Sequence, residues 1–453
     1  MPCMRIPALP PGSRHVAGNS GCRKRHICCT TVIAGLLLIA TPLPAPAADA
    51  AVPELTLEAA IAQAVAGNPG LAAMQARAAA MAAIPAQAGS LPDPMLNLNA
   101  MNLPTDTFAR DQEPMTQLQV GIEQALPYPG KRELRQRAAT FAADAAASSA
   151  EEASLNLDRK VREIWWELFY QDRALEIVAR NRELLRQFVE IAQTKYSVGE
   201  GLQQEVLLAQ VELSRLLDRR IALAGERARQ AARLNALLDR DMDAPVLLPA
   251  AVEESLPAVL PEQELYTRME SARPLLAQRR EEVEEARTRQ DLARRDRYPD
   301  FKLGAAYGFR NGTNPDGSAR PDFASIMLGM SLPLYAGSKQ DRAVEQRASE
   351  FLQQQYALQD ERLKVRADIA AALADYRRAS EQVQLFRTGI IPQARQSVAS
   401  MLAGYQVNKV DFLNLVRAQI TLYDYEIQYW KSFMEARQAL VRLAAAVGGE
   451  VTL

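Results

Sequence analysis

Hydrophobic and polar residues follow two different periods along the chain. In "QLQVGIEQAL", residues 117–126, Leu118, Val120 and Ile122 alternate with glutamine, glycine or glutamate. This two-residue period is typical of a half-exposed β-strand. It recurs at residues 96–101, 301–309 and 325–332, with polar, turn-rich loops at 104–114 and 311–322. The pattern therefore predicts four strands in two β-hairpins, at 94–127 and 300–334.

A second, longer period predicts helices. No proline occurs between Lys131 and Asp243, and the residues of this stretch are mostly strong helix formers. A continuous helix from Lys131 to Tyr196 would measure roughly 100 Å at 1.5 Å per residue. Apolar residues recur on alternating steps of three and four, as in the seam of a coiled coil. The predicted seam consists of Leu157, Val161, Ile164, Leu168, Leu175, Val178, Leu185, Leu202, Val206, Ala209, Leu213 and Leu216.

Glycine and asparagine mark where these helices reverse. Gly199 and Gly201 interrupt the seam and predict an antiparallel helical hairpin at 131–240. A second hairpin is predicted at 339–447, where Asn408 replaces glycine, since asparagine also tolerates the left-handed conformation. Pro392 is expected to kink or break the first helix of that hairpin near Ile391.

The order of elements occurs twice. Asn68-Pro69 corresponds to Arg273-Pro274, and "LPYPGK" (126–131) corresponds to "LPLYAGSK" (332–339), at offsets of 205 and 206 residues. Such a long offset indicates a duplicated half and not a solenoid repeat. We therefore expect a first repeat at 48–240, a proline-rich linker at 241–261 and a second repeat at 262–453.

The first 47 residues have the pattern of a secretory signal peptide. A basic segment at 23–26 precedes an apolar run at 27–40, and small residues follow at 45–48. A membrane anchor is the alternative, but about 14 apolar residues are fewer than the roughly 20 that span a bilayer.

The amino-acid composition then limits the types of functional site that are expected after the leader. All four cysteines and both histidines lie in the leader, so disulfides, Cys or His metal sites and Ser-His-Asp triads are not expected. A lipid on a mature N-terminal cysteine is not expected either. A carboxylate enzyme remains a formal alternative. Without the five leader cations the charge is (53 − 5) − 54 = −6, which argues against a nucleic-acid partner.

The four strands have the length and alternation of tilted strands in a membrane barrel. Four strands are too few to close into a barrel. The two open edges of such a sheet would leave about twenty backbone groups unpaired in lipid, and each unpaired group would cost several kcal/mol. A folded domain has only about 5–15 kcal/mol of stability. Several copies would therefore have to share one barrel. The alternative is a periplasmic coiled-coil scaffold or adaptor that never inserts. The predicted membrane boundary consists of Pro127, Pro129, Gly130, Pro333 and Gly337.

The motifs together resemble the TolC-like outer membrane efflux family. They are the Asn-Pro and Arg-Pro helices, "PDPML" (92–96), "GIEQALPYPGK" (121–131), "YSVGEG" (196–201) and "YQVNKVDFLNLVRAQITLY" (405–423), in duplicated order. The resemblance extends from residue 55 to residue 449. It implies a mainly α fold with a transmembrane β-barrel contribution, in which three copies close a twelve-stranded barrel and an α-helical tunnel.

The resemblance also implies a function and partners. The chain would be a passive channel from the periplasm to the exterior, without catalysis, cofactor or metal site. It would work with a periplasmic adaptor and an inner membrane transporter, for which the resemblance favours the resistance-nodulation-division type. The exported substrates would be metal ions or drugs. Residues 101–117 look like members that serve metal-ion pumps, but the methionines are expected to face lipid or fill the core.

The resemblance finally implies roles for residues near the helical tips. Tyr405 matches the family's gate tyrosine and Glu205 one acid of its constriction, whereas Asn414 and Arg417 replace two aspartates of the narrowest ring. Glu205 and Asp411 could supply the acid instead, Arg417 could pair with a neighbouring carboxylate, or Arg417 could face solvent on the outer surface. Adaptor docking is expected at Tyr196, Val198, Gly199, Gly201, Val407 and Asn408.

Overall fold

The computed structural model describes residues 54–407 and 409–452. The predicted signal peptide and Asn408 lie outside the described residues. The helices are α1 (Leu57–Gly67), α2 (Pro69–Ala82), α3 (Ile84–Gly89), α4 (Lys131–Ser197), α5 (Gln203–Leu237), α6 (Glu262–Ala272), α7 (Pro274–Arg295), α8 (Gln340–Leu385), α9 (Ile391–Gln406) and α10 (Phe412–Val447). The strands are β1 (Met95–Met101), β2 (Gln117–Leu126), β3 (Phe301–Phe309) and β4 (Phe323–Met330). The expected mainly α chain with four strands is confirmed.

The four strands form one antiparallel sheet in the order β1-β2-β3-β4. The two hairpins are joined through β2 and β3, with Ile122 opposite Ala305 and Leu118 opposite Phe309. Strands β1 and β4 are the two edges of the sheet. The last strand begins at Phe323 and ends at Met330, two residues earlier at each end than the alternation predicted.

The helices form layers whose two edges come from different parts of the sequence. Helix α4, with 67 residues, packs against α5, α7 and α10, and α8 packs against α7 and α10. Helices α2 and α3 pack on the other side of α4, and α9 packs on α10. Helices α2, α3 and α5 therefore lie at one edge, and α8 and α9 lie at the other.

The predicted coiled-coil seam forms the core of the helical part. Leu157, Val161, Leu168, Val178 and Leu185 are buried in α4. Aromatic rings fill the contact with α10, where Trp166 and Phe433 meet edge to face with centroids 5.8 Å apart. Leu202 is the exception: it lies exposed in the turn before α5, so its place in the seam was wrong.

Proline begins several helices and changes the geometry of another. Asn68 caps α2 by accepting a hydrogen bond of 3.0 Å from Leu71 N–H, and Pro69 occupies the first turn, where no N–H donor is needed. Pro392 does not break its helix, so the alternative of a helix break is wrong. A π-helical turn, Phe386–Ile390, precedes it and continues directly into α9. Since proline lacks an N–H, a local change of helix period is a standard way to accommodate it.

Within residues 54–407 and 409–452, none of the helices has both the length and the apolar composition required to traverse a bilayer.

Candidate functional site

The sheet has one continuous apolar face. Cross-strand partners share a face of a sheet, so the register places Leu98, Val120, Tyr307 and Ala324 in one row. Its side chains remain open to solvent: Ile326 is 84%, Leu328 74% and Leu98 71% exposed. The apolar face consists of Leu96, Leu98, Ala100, Leu118, Val120, Ile122, Gln124, Leu126, Phe301, Leu303, Ala305, Tyr307, Phe309, Ala324, Ile326, Leu328 and Met330. No element of the described chain covers it.

The polar face lies on the opposite side and carries mostly small and polar side chains, together with Met95, Met101, Phe323 and Met327. Glu123 and Lys302 form an ion pair at 2.9 Å across β2 and β3. Gly308 leaves the space that Gln117 occupies, because a Cβ at Gly308 would lie 1.9 Å from Gln117 Oε1. The polar face thus has a wettable surface in which neighbouring side chains fill the space above its glycines.

The loops at one end of the sheet are tied together by arginines. The guanidinium of Arg320 donates to the carbonyls of Asp111 at 3.0 Å and Glu113 at 3.1 Å, so one hairpin loop binds the other. Tyr307, whose hydroxyl donates to Asp322 at 2.8 Å, stacks edge to face with Phe309 at this end. Both polar loops therefore lie on the same side, as expected from sequence.

The opposite end joins the sheet to the long helices. The buried Lys131 Nζ donates to Asp300 and to the Tyr298 carbonyl, each at 2.9 Å, and Tyr128 stacks on Tyr298 with centroids 4.6 Å apart. Partial burial alone would raise the pKa of Asp300. Hydrogen bonds from Lys131 and the Tyr128 N–H outweigh it and hold the pKa below its ordinary value.

The predicted boundary residues lie in the two connections at this end. Pro127, Pro129 and Gly130 lie between the end of β2 and the start of α4, whereas Pro333 and Gly337 lie between β4 and α8. Gly130 has φ +88°, and a Cβ there would lie 3.3 Å from the guanidinium of Arg295. Only glycine suits this backbone conformation so close to another side chain.

The first helical tip is closed by glycine, as predicted. The carbonyl of Lys195 accepts hydrogen bonds from Glu200 N–H at 2.9 Å and Gly201 N–H at 3.1 Å, and Gly199 has φ +77°. This is a glycine-dependent helix end. Tyr196 and Val198 are exposed beside it. At the second tip Val407 is exposed, and Asn408 lies outside the described residues.

Tyr405 is the centre of a cluster that joins the two tips. Its side chain is 5% exposed and packs against Phe412, with ring centroids 5.4 Å apart. Lys195 Nζ lies 4.2 Å from its ring centroid. Burial raises the pKa of Tyr405 to about 12, and the nearby carboxylates of Glu205 and Asp411 act in the same direction. Its hydroxyl has no hydrogen-bond partner among the described residues.

Asn414 and Arg417 lie elsewhere, on an exposed polar stripe of α10. The stripe consists of Asn414, Arg417, Thr421, Asp424, Gln428 and Lys431. In the described chain no carboxylate lies within ion-pair distance of Arg417, so the pairing that was one of three alternatives is not found within one copy. Helix α4 also has exposed polar positions near its C-terminal end, including Arg186.

Sequence reasoning missed the polar groups between the two helical hairpins. Glu426 on α10 binds Arg180 on α4 at 2.6 Å and Arg395 on α9 at 2.8 Å. The buried Gln419 Nε2 donates to Asn181 Oδ1 at 2.6 Å. The available indication was a polar residue at a seam position of a coiled coil, which often fixes helix pairing.

Both edges of the helical layers carry exposed apolar side chains at helical spacing. On α5 these are Leu207, Val211, Leu217 and Ile221, and on α8 they are Leu352, Tyr356 and Leu363. We call the first set the α5 stripe and the second the α8 stripe. Like the apolar face of the sheet, they have no partner in the described chain.

The C-terminal part of the chain matches the model of a known family. Residues 265–449 match the sequence model described as "Outer membrane efflux protein". A comparison with curated proteins finds no match.

Solved outer-membrane channels have a similar fold. OprN is 17% identical, with 87% of this chain and 90% of that chain covered and a TM-score of 0.74. VceC, from Vibrio cholerae, is 18% identical, with 87% and 96% covered and a TM-score of 0.73. The open state of MtrE, from Neisseria gonorrhoeae, is 17% identical, with 87% and 89% covered and a TM-score of 0.71. The expected resemblance and the fold are therefore confirmed.

Proposed function

We propose that this chain, whose second repeat matches the outer membrane efflux proteins and whose fold is that of outer-membrane channels, forms an efflux channel by assembling three copies. The observation that carries the proposal is the uncovered apolar face of the sheet between two unpaired edges. In water this face would expose a large contiguous apolar area. In lipid it would be solvated, provided that β4 of one copy pairs with β1 of the next.

The edges of the helical layers support the same assembly. Strand β1 and helices α2, α3 and α5 belong to the first repeat, whereas β4, α8 and α9 belong to the second. Joining the second-repeat edge of one copy to the first-repeat edge of the next would cover the α5 stripe and the α8 stripe. Such a head-to-tail contact forms a ring when the rotation closes.

Within this assembly we assign the residues as the sequence resemblance suggests. Tyr405, Glu205 and Asp411 form the gate cluster, and Asn414 and Arg417, in the first two turns of α10, line the tunnel. The tips at Tyr196–Gly201 and at Val407 and Asn408 dock a periplasmic adaptor, which connects the channel to an inner membrane transporter of the resistance-nodulation-division type. The substrates are metal ions or drugs.

The proposal extends to topology and export. The two repeats, 48–240 and 262–453, share a linker at 241–261, and a signal peptide at 1–47 directs export. The sheet lies in the outer membrane, with the boundary at Pro127 and Pro333, and the helices extend into the periplasm. The channel performs no catalysis and carries no cofactor.

Neighbouring residues on opposite faces of β4 provide a matched test. Ile326 lies on the apolar face and Ser325 on the polar face. Ile326→Arg should impair membrane insertion, because arginine on the lipid face near the bilayer midplane costs about 2–4 kcal/mol per copy. Ser325→Arg should insert normally. Outer-membrane fractionation with detergent extraction measures both, and planar bilayers measure the conductance of what inserts.

The alternative, a periplasmic coiled-coil scaffold that never inserts in the membrane, predicts the opposite fractionation. A water-soluble periplasmic protein would be recovered without detergent, and both arginine variants would fractionate alike. Either result would exclude the channel. The exposed apolar face favours insertion, since a soluble scaffold has no use for it.

A further inference from the structure

A half-open cleft lies between α4, α5 and α10. Leu185 of α4, Leu216 of α5 and Ile427 of α10 line it, so all three helices contribute to its walls. The cleft has a volume of about 320 Å³. Sites for drug-sized molecules are concave and have volumes of roughly 300–1,000 Å³. The cleft therefore has the size of a small-molecule site, and it is complete within one copy.

The cleft combines apolar walls with a hydrogen-bond acceptor. The side chains of Leu185, Leu216 and Ile427 are buried, and so is the amide of Gln419. Gln419 Nε2 donates to Asn181 Oδ1 at 2.6 Å, whereas the amide oxygen of Gln419 accepts no hydrogen bond from the described residues. A buried acceptor without a donor costs free energy. A ligand with an apolar body and one N–H or O–H group would satisfy both the walls and this oxygen.

The charges that line the cleft compensate one another. They are two carboxylates, Glu212 and Asp424, and two guanidiniums, Arg215 and Arg219. Glu212 and Arg215 form an ion pair at 2.6 Å. Burial raises the pKa of Asp424, and the nearby guanidinium of Arg219 opposes this effect only in part. A ligand with a net charge would find no free counter-charge here, so the cleft favours an uncharged molecule.

The position of the cleft connects it with the proposed tunnel. Asp424 belongs both to the cleft and to the exposed polar stripe of α10 that carries Arg417. On α5 the cleft uses a different side from the α5 stripe. At 3.6 residues per turn, Leu216 lies about 140° around the helix from both Val211 and Ile221. A copy that docks on the α5 stripe therefore need not cover the cleft.

We propose that the cleft between α4, α5 and α10 binds one uncharged amphipathic organic molecule of drug size from the tunnel. This inference rests on the proposed function, because that proposal turns the polar stripe of α10 towards the tunnel. It narrows the substrates to uncharged organic compounds. Within residues 54–407 and 409–452, no group of three or more aspartates, glutamates, histidines or cysteines is placed to hold a metal ion.

Two fluorescent probes with one ring system test the class of ligand. N-phenyl-1-naphthylamine is uncharged and has an N–H donor, and 8-anilinonaphthalene-1-sulfonate adds a sulfonate to the same rings. The detergent-solubilised trimer is excited at tryptophan, and the emission of each probe is recorded during titration. We expect saturable binding of the uncharged probe at about one site per chain. The sulfonate should bind about tenfold more weakly, because its charge would be buried without a partner. Equal or tighter binding of the sulfonate overturns the proposed class.

The tryptophans distinguish the cleft from the detergent. Trp430 is on α10, less than one turn after Ile427 of the cleft, and it packs against Phe169 of α4. Trp165 lies roughly 50 Å along α4 from Lys131, beside the predicted membrane boundary. Probe dissolved in the micelle is therefore too far from these rings for efficient energy transfer. Absence of a saturable signal from the native trimer overturns the site.

Neighbouring residues of α10 provide matched variants. Ile420 lines the cleft and is only partly buried, whereas Thr421 is exposed on the polar stripe. Ile420→Lys should weaken binding of the uncharged probe about tenfold, since it puts a charge into the cleft. Thr421→Lys adds the same charge outside the cleft and should bind the probe as the native trimer does. Ile420→Phe fills the space without a charge and should also weaken binding. Native affinity in both Ile420 variants overturns the site.

Conductance of the same preparations in planar bilayers reports separately on the channel. A native trimer that conducts but binds no probe rejects the cleft and leaves the channel intact. A native preparation that neither assembles nor conducts rejects the proposed function, and the inference with it.

Discussion

Burial of the Tyr405 phenol raises its pKa to about 12, and the nearby carboxylates of Glu205 and Asp411 act in the same direction. Below pH 10 the phenol is neutral in both the folded and the unfolded chain. Above pH 10 the unfolded chain ionises first, so folding loses this contribution as the pH rises through about 12. We therefore expect Tyr405 to contribute to a loss of stability at the tip of the helical hairpins at alkaline pH.

We expect Tyr405→Phe to remove this component of the pH dependence. The hydroxyl has no hydrogen-bond partner among the described residues, so at pH 8 its loss should change the unfolding free energy by less than about 1 kcal/mol. Between pH 10 and pH 12 the native protein should lose more thermal stability than the variant. Circular dichroism melts at both pH values measure this, and parallel losses would contradict it.

Arg417 tests which side of α10 faces the tunnel. Three arginines in a narrow ring would disfavour cations, and three carboxylates would attract them. Arg417→Asp should therefore shift the reversal potential in planar bilayers towards cation selectivity. Arg186→Asp makes the same charge change at an exposed position of α4 that we do not assign to the tunnel, and its selectivity should stay native. Equal selectivity in the native and Arg417→Asp channels would put Arg417 outside the tunnel.

At the scale of elements, Glu426 connects the two helical hairpins. It binds Arg180 of the first and Arg395 of the second. Both arginines are more than half exposed, so we expect Glu426→Gln to cost only about 1–2 kcal/mol. The looser contact should raise the open probability of single channels. Glu435→Gln breaks a pair with Arg378 inside the second repeat and should leave gating native.

Local periodicity predicted the elements better than it predicted their partners. The strand alternation and the coiled-coil seam depend on neighbouring residues, so Leu118 and Val161 were assigned correctly from spacing. The pairing of β2 with β3 joins residues far apart in the sequence, such as Leu118 and Phe309, which are 191 positions apart, and no local pattern encodes it. The same holds for Glu426 and Arg180, whose contact exists only after the hairpins pack. Pro392 predicted an irregularity, but its form as a π-helical turn depends on packing against α10.

At the scale of the whole molecule, the α5 stripe should determine assembly. A charge at Ile221 would be buried without a partner when the next copy docks. Ile221→Glu combined with Val211→Glu should therefore reduce the trimer fraction strongly, as measured by light scattering after gel filtration in detergent. Ile191→Glu introduces one such charge at an exposed position of α4, outside the α5 stripe, and should leave assembly native. A native trimer fraction in the double variant would show that the edge lies elsewhere.

The two edges of one copy, one with β1 and the α5 stripe and the other with β4 and the α8 stripe, are different surfaces. This difference has a genetic consequence. A copy with a defective α5 stripe still presents an intact β4 and α8 edge, so it can join a neighbour and then block further closure. Mixed in equal amounts with intact copies, it would leave only about one eighth of the rings fully competent if assembly were random. A single damaged allele would then be dominant over a healthy one, although the protein it encodes is stable and correctly exported.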